Sequence, residues 1–214
     1  MGQITSGIRA ALSLPVVYDT YQTLMGARQV RQDMADNFIR ARAGDRVLDV
    51  GCGTGQLIEF LPRVDYHGFD ISAEYIDFAR RQFAGRGEFH DRLLTPDALA
   101  ELGTFDIVIG FGLLHHLDDG EAADLFGMVR SALRPGGRLV TIDPCFVPRQ
   151  SPIARYLAAR DRGRNVRTAD GYRRLAEAAF PQVSTSIRHR RWILFTHFIM
   201  TCTGPAPAAG ASTP

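Results

Sequence analysis

From residue 46 onward, short apolar runs alternate with stretches whose apolar positions recur at helical spacing. That alternation is the pattern of a parallel sheet covered by helices on both faces. Residues 46–51, 66–70, 88–91, 105–110 and 138–143 read as strands, each followed by a segment of helical period. Ser72 is placed to cap the second of these helices, because a serine oxygen can accept from an orphan amide of the first turn. Thr95 followed by Pro96 starts another, since proline suits the first helical position. Asp118 or Asp119 caps the next. That helix ends at Leu133-Arg134-Pro135-Gly136-Gly137, where proline and glycine enforce a turn before the fifth strand.

After Ala169 the order changes. One helix, GYRRLAEAAF, is followed by two β-rich runs, residues 183–189 and 192–202, whose short separation predicts an antiparallel hairpin. Ahead of residue 46, two helical stretches, roughly 3–13 and 18–42, break at Pro15 and are placed to cover the ligand edge of the sheet. The tail from Gly204, GPAPAAGASTP, is poor in bulky apolar residues and is expected to stay disordered. The expected organisation is one domain over residues 1–203: a helical lid (1–43), a ligand-binding core (44–143), and a substrate-side insert with the terminal hairpin (144–203). Residues 204–214 form the tail.

Composition narrows the class. A chain of 214 residues fits one compact domain with a full core. Lys and Arg number 25 against 23 Asp and Glu, so the charge balance gives no reason to expect nucleic acid or a membrane surface as an obligatory partner. Cys52, Cys145 and Cys202 are widely spaced and odd in number, which argues against a disulfide framework and offers no zinc spacing; no metal site is expected. No apolar run approaches the ~20 residues of a membrane-spanning helix, and the N-terminus lacks a signal-peptide block. A cytoplasmic protein, monomer or homodimer, is the expectation.

The most informative segment is VLDVGCGTG, residues 47–55, a buried strand running into a glycine-rich turn. Glycines there let the backbone turn sharply and approach a ligand without Cβ interference. A helix is expected to follow the turn. Asp70 closes the next strand about 20 residues on, where an acid can accept hydrogen bonds from ribose hydroxyls, so the ligand should be a nucleoside. Asp49 stands two residues before the first glycine, and an anionic carboxylate there suits a cationic amino-acid group better than a pyrophosphate. The plainer role for Asp49 is to cap backbone amides in the turn.

This segment resembles the class I S-adenosylmethionine-dependent methyltransferases, in particular the small-molecule group, over residues 44–143 and more loosely to 202. The resemblance implies a Rossmann-like α/β fold with a seven-stranded, mostly parallel sheet, a C-terminal antiparallel hairpin and S-adenosyl-L-methionine as cofactor. It gives the methionine end of that cofactor to Asp49, Gly51, Cys52, Gly53 and Gly55. Asp70 matches the ribose-binding acid, Ile71 lies beside the adenine, and Asp91 falls where the adenine amino group is often contacted. Gly110 and Phe111 lie in the matching fourth strand and turn, and LRPGGRLV, residues 133–140, matches the lead into strand five. Tyr18 resembles aromatic lid residues that meet the cofactor, with plain core packing as its other role.

Methyl transfer from a sulfonium is a direct displacement, so alignment carries most of the rate and no metal is intrinsically required. An acceptor that must lose a proton can be helped by a nearby base. His115 and His116 follow the fourth strand and Asp143 ends the fifth, all on the edge where open α/β sheets bind ligands; packing beneath the cofactor or capping the next helix is the other role for the histidines. Cys145 is read as a packed residue. Residues 155–167 hold several arginines and one acid, and Arg160 and Arg164 are the candidates for binding an anionic acceptor or a lipid headgroup. Most of these arginines are otherwise a solvated face with internal pairs to Asp161 and Asp170. The expected partner is a small-molecule substrate, with peripheral membrane contact left open. The competing functions are RNA or protein methylation, and cofactor binding without catalysis.

Overall fold

The computed structural model describes residues 27–161, 163–189 and 196–204. Most of the expected lid, including Tyr18 and Pro15, lies outside these residues, as do the tip of the hairpin and the tail beyond Gly204.

Five strands alternate with helices: β1 (Arg46–Val50), β2 (Asp65–Phe69), β3 (Glu88–His90), β4 (Phe105–Phe111) and β5 (Leu133–Phe146). A two-residue β6 (Arg167–Thr168) adds to the end of β5, and β7 (Gln182–His189) and β8 (Thr196–Thr203) close the chain. The main path runs β3-β2-β1-β4-β5-β8-β7, parallel as far as β5 and antiparallel over β8 and β7. This is the mostly parallel, Rossmann-like sheet that the alternating pattern implies. The helices are α1 (Ala27–Met34), α2 (Ala73–Gln82), α3 (Pro96–Leu102), α4 (Asp119–Ala132), α5 (Pro152–Ala159) and α6 (Ala169–Glu177).

β1 shows why the sheet is buried on both sides. Val47, Leu48, Asp49 and Val50 are all covered, and alternation sends Leu48 and Val50 into one apolar layer and Val47 into the other. Phe69, Phe105 and Phe126 fill the first layer; Tyr66, Ile76, Phe89 and Ile107 fill the second. Each such side chain contributes roughly 1.5–3 kcal/mol on leaving water. Arg46 then locks the amino end of the sheet: its guanidinium donates to the carbonyls of Leu102 and Thr104 and to Asp65, while its amide donates to Asp106. The Arg46 hydrogen bond holds the Asp65 carboxyl below the usual carboxylate range.

The expected caps form. Ser72 accepts from the Tyr75 amide, Thr95 from the Ala98 amide with Pro96 in the first turn, and Asp118 makes a reciprocal capping box with Glu121. Three readings need correction. The glycine turn is followed by a 3-10 segment, Gln56–Phe60, and not by an α-helix, because Pro62 forces Leu61 into extended backbone (φ −99°, ψ 147°). β5 begins at Leu133, so the Pro135-Gly136-Gly137 stretch expected to be a turn lies within an irregular start of the strand, where the register with β4 shifts. Of the helix expected over residues 18–42, the described part, from Ala27 on, splits into α1 and a π-helical turn, Ala35–Ile39, closed by Arg40 in the left-handed region. Arg138 of β5 donates to the carbonyls of Ile39 and Arg40 and so satisfies that helix end.

Asp118→Ala removes one half of the capping box, and urea denaturation should show a loss of about 1 kcal/mol. An unchanged midpoint would mean that packing alone sets the start of α4.

Candidate active site

The ends of β1, β2, β3 and β4 are neighbours along the carboxyl edge of the sheet, and this brings together most of the residues singled out from the sequence. The amides of Gly51 and Cys52 both donate to the Phe69 carbonyl, which ties the turn to β2. Gly55 has φ +74°, and a Cβ on it would lie 2.8 Å from the Phe89 ring, so the position demands glycine twice over. Gly53 has φ +54°, and no atom of the described residues lies within 4 Å of where a Cβ would stand. Asp70 holds the turn through Oδ2, which accepts from the Gly53 amide at 2.9 Å, and accepts from the Ser72 amide through Oδ1. Each oxygen keeps capacity for a further donor such as a hydroxyl.

Asp49 is buried at the end of β1. Its Oδ2 accepts from the Tyr66 hydroxyl at 2.7 Å, while Oδ1 is buried with no hydrogen-bond partner among the described residues. The expected capping of turn amides by Asp49 is therefore not what the described contacts show. Burial pushes this carboxyl up to about 7, against the Tyr66 hydrogen bond; Asp70 adds to the rise and Arg31 opposes it. A buried carboxylate oxygen left unpaired is costly unless a cationic or donor group reaches it. Ile71 and Leu93, large apolar side chains after β2 and β3, are 52% and 55% exposed, leaving an apolar surface suited to a flat base. Asp91 is exposed and paired with Arg80 at 3.2 Å. Cys52 packs its sulfur near Gly68 of β2, and Phe111 lies half-buried against the second apolar layer. Gly110 faces Thr141 and Leu113 at ordinary contact distance.

The second half of the edge centres on His115, in the 3-10 turn Leu114–His116. Its amide and its Nδ1 both meet Asp143 Oδ1, at 3.1 and 2.8 Å, and its Nε2 meets Asp161 Oδ1 at 3.2 Å. Burial disfavours a charge on the ring, but the hydrogen bonds and charges of the two aspartates outweigh it and lift His115 to about 9. His115 is thus a proton-bearing link between β5 and the insert. The His116 ring lies against it at a tilt of 39°, with ring centroids 4.1 Å apart. Asp143 Oδ2 is buried with no hydrogen-bond partner among the described residues. Cys145 is buried, and burial pushes its thiol up to about 12, which leaves it unreactive as a nucleophile.

The insert carries residues that sequence reasoning missed. Asp161, expected to pair with arginines, instead meets His115 and accepts from the Gly163 amide. The Asn165 amide donates to the His115 carbonyl. Arg167 donates to the carbonyls of Leu114 and Leu117 and to Asp119, fastening the insert onto the loop after β4. Arg160, by contrast, lies over the exposed Tyr156 ring at 4.6 Å, and Arg164 is exposed. Only the lone acid within the arginine run hinted at this arrangement. A groove of about 770 Å³ between α3 and α4 lies at the opposite, amino end of the strands, away from all of these groups.

Comparison with known proteins gives a consistent result. A family profile described as "Methyltransferase domain" matches residues 26–179. Among curated proteins, the chain is 40% identical over 102 residues to a ubiquinone biosynthesis O-methyltransferase of Sinorhizobium medicae (strain WSM419), covering 45% of this chain and 40% of that protein. It is 32% identical over 145 residues to phosphoethanolamine N-methyltransferase 1 of Triticum aestivum, covering 64% of this chain and 28% of that protein. The chain thus spans less than half the length of these relatives. In fold it resembles an O-methyltransferase family protein from Burkholderia thailandensis, with a TM-score of 0.67 at 17% identity, covering 96% of this chain and 65% of that one.

The Asp49 proton gives a test that needs no ligand. The folded value lies above the ordinary 3.8, so the folded state holds this proton more tightly than the unfolded chain does. Its stabilising contribution is full below pH ~4 and is lost as the pH rises through about 7. Asp49→Asn should therefore match the parent near pH 4 and exceed it by up to about 4 kcal/mol at pH 8 in urea denaturation. A difference independent of pH would show that Asp49 is ionised throughout.

Proposed function

The chain belongs to the methyltransferase-domain family, and from that premise we propose that its carboxyl edge transfers a methyl group from S-adenosylmethionine to a small, anionic acceptor by direct displacement. The observation that carries the reading is the buried Asp49 Oδ1, without a hydrogen-bond partner among the described residues, beside a glycine turn in which no described atom crowds Gly53. Those residues fit the cofactor: Asp49 supplies an acceptor for its ammonium group, Gly51, Gly53 and Gly55 admit its backbone-sized amino-acid end, and Asp70 takes the ribose. Ile71 and Leu93 offer their exposed apolar surface to the base, with Asp91 at its rim. When bound, S-adenosylmethionine supplies an electrophilic methyl carried on a sulfonium. The chain's own part is to align it and to exclude water.

His115 serves as a positioning residue in this reading and not as a general base. With a value near 9 and both ring nitrogens engaged, it already carries its proton at neutral pH. It holds the insert, through Asp161, against the ends of β4 and β5. Asp143 Oδ2 is the carboxylate oxygen left to receive a hydroxyl or amine of the acceptor. An anionic acceptor is supported by the exposed guanidiniums of Arg160 and Arg164 on the insert, and by the name of the wheat relative, which specifies phosphoethanolamine. The related names include both O- and N-methyltransferases, so the accepting atom follows from the substrate found.

Two measurements test the proposal. Calorimetry with S-adenosylhomocysteine should show affinity rising about tenfold between pH 6 and pH 8, because the ammonium binds the ionised form of Asp49; Asp49→Asn should abolish both the dependence and most of the affinity. Failure of the parent to bind would sink the cofactor assignment. With methyl-labelled donor and a panel of phosphorylated and carboxylated metabolites, label should pass to a small molecule. Arg160→Ala with Arg164→Ala should raise the KM for that acceptor by roughly tenfold, about 1.4 kcal/mol, while leaving S-adenosylhomocysteine binding unchanged. An unchanged KM would remove the anion reading.

A further inference from the structure

The β2–β3 edge of the sheet carries a second cluster of chemistry-bearing side chains. Parallel register sets His67 of β2 against Glu88 of β3, and Phe69 against His90, so these side chains rise on one face. One ligand atom each from His67, Glu88 and His90 lie within 4.8 Å of one another. His67 is buried, and its Nε2 meets Asp65 Oδ1 at 3.3 Å; Asp65 is itself held from its other oxygen by Arg46 at 2.7 Å. A carboxylate at Nε2 fixes the proton there and leaves the lone pair on Nδ1. That Nδ1 is buried with no hydrogen-bond partner among the described residues, 3.6 Å from Glu88 Oε2. His90 Nε2 is buried and lacks a partner in the same way, 3.9 Å from the same oxygen. Two buried imidazole nitrogens left without partners are unfavourable in a purely structural setting.

We propose that His67, Glu88 and His90 form a binding site for a divalent metal ion of the zinc class, with Asp65 orienting His67 from behind. Two imidazoles and one carboxylate suit zinc, cobalt or nickel, whereas calcium and magnesium prefer all-oxygen sets. Bonds of ~2.0–2.2 Å on a tetrahedral ion put its ligands roughly 3.4 Å apart, so the 3.6 and 3.9 Å separations to Glu88 need to close by about half an ångström at most, and the two imidazoles, within 4.8 Å of each other, close further by side-chain rotation. Asp65 behind His67 repeats the carboxylate–histidine–metal arrangement that fixes a ligand's tautomer and orientation. The Glu88 side chain is 68% exposed, which leaves an entry path and room for water as a fourth ligand. The ligands lie in the bodies of β2 and β3, back from the carboxyl edge where Asp70 stands, so the ion acts on structure: it clips the three-residue β3 onto β2. Phe69, stacked on His90 at 4.4 Å, carries that clip toward Asp70.

The test uses full-length, tag-free protein stripped with a chelator and titrated with Zn²⁺, Co²⁺ or Mg²⁺. One Zn²⁺ per chain should bind at micromolar concentration and raise the melting temperature, and Co²⁺ should give the visible absorption of a four-coordinate site. Glu88→Gln and His90→Gln should each weaken Zn²⁺ binding at least tenfold, while the metal-free variants melt close to the metal-free parent. Absence of stoichiometric Zn²⁺ binding overturns the proposal. So does Zn²⁺ binding that persists in both variants, or an equal shift with Mg²⁺.

Discussion

Asp70 accepts from the Gly53 amide with one carboxylate oxygen and from the Ser72 amide with the other. Those two amides belong to different loops, one leaving β1 and one leaving β2. A single side chain therefore fixes the glycine turn relative to the start of α2, which Ser72 caps. Everything along the edge takes its place from that bridge: the depth of Asp49, the backbone of Gly53, and the exposed surfaces of Ile71 and Leu93. The paired donations from Gly51 and Cys52 to the Phe69 carbonyl keep β1 and β2 in step beneath it.

Two carboxylates, Asp49 and Asp143, are buried in the central strands and are treated differently. Asp143 is neutralised by His115, whose second nitrogen is taken by Asp161, so a chain of alternating charges runs from the sheet into the insert. Among the described residues, the Tyr66 phenol and the Arg31 charge offset the burial of Asp49. A core selected for stability alone would replace it with an apolar residue, since burying a charge without a close counterion is unfavourable. In the proposed function, the ammonium group of the cofactor supplies the missing charge beside the glycine turn.

Much of this was legible in the chain. Period-2 and helical runs locate the strands and caps because those patterns are local, and the VLDVGCGTG segment places Asp49 and the turn directly. The short 3-10 segment after Gly55 was missed because the helical reading gave Pro62 no weight. The insert's contacts around His115 were not legible: Asp161 reaches its ring, and Arg167 the neighbouring Leu114 carbonyl, across some fifty residues through the packing of the insert, which no local pattern encodes. Tyr66 likewise reads as a core aromatic, and only the fold brings its hydroxyl to Asp49. His67, Glu88 and His90 were hidden because parallel register, rather than sequence spacing, assembles them.

The two borders of the sheet differ in kind. β3 ends one side after three residues, and β7 ends the other with most of its side chains exposed, among them Gln182, Ser184 and Thr185. A foreign strand laid against β3 would gain too few ladder bonds to remain, and one laid against β7 would have to settle on a polar fringe. Both margins resist growth by strand addition, so the sheet is guarded against runaway polymerisation.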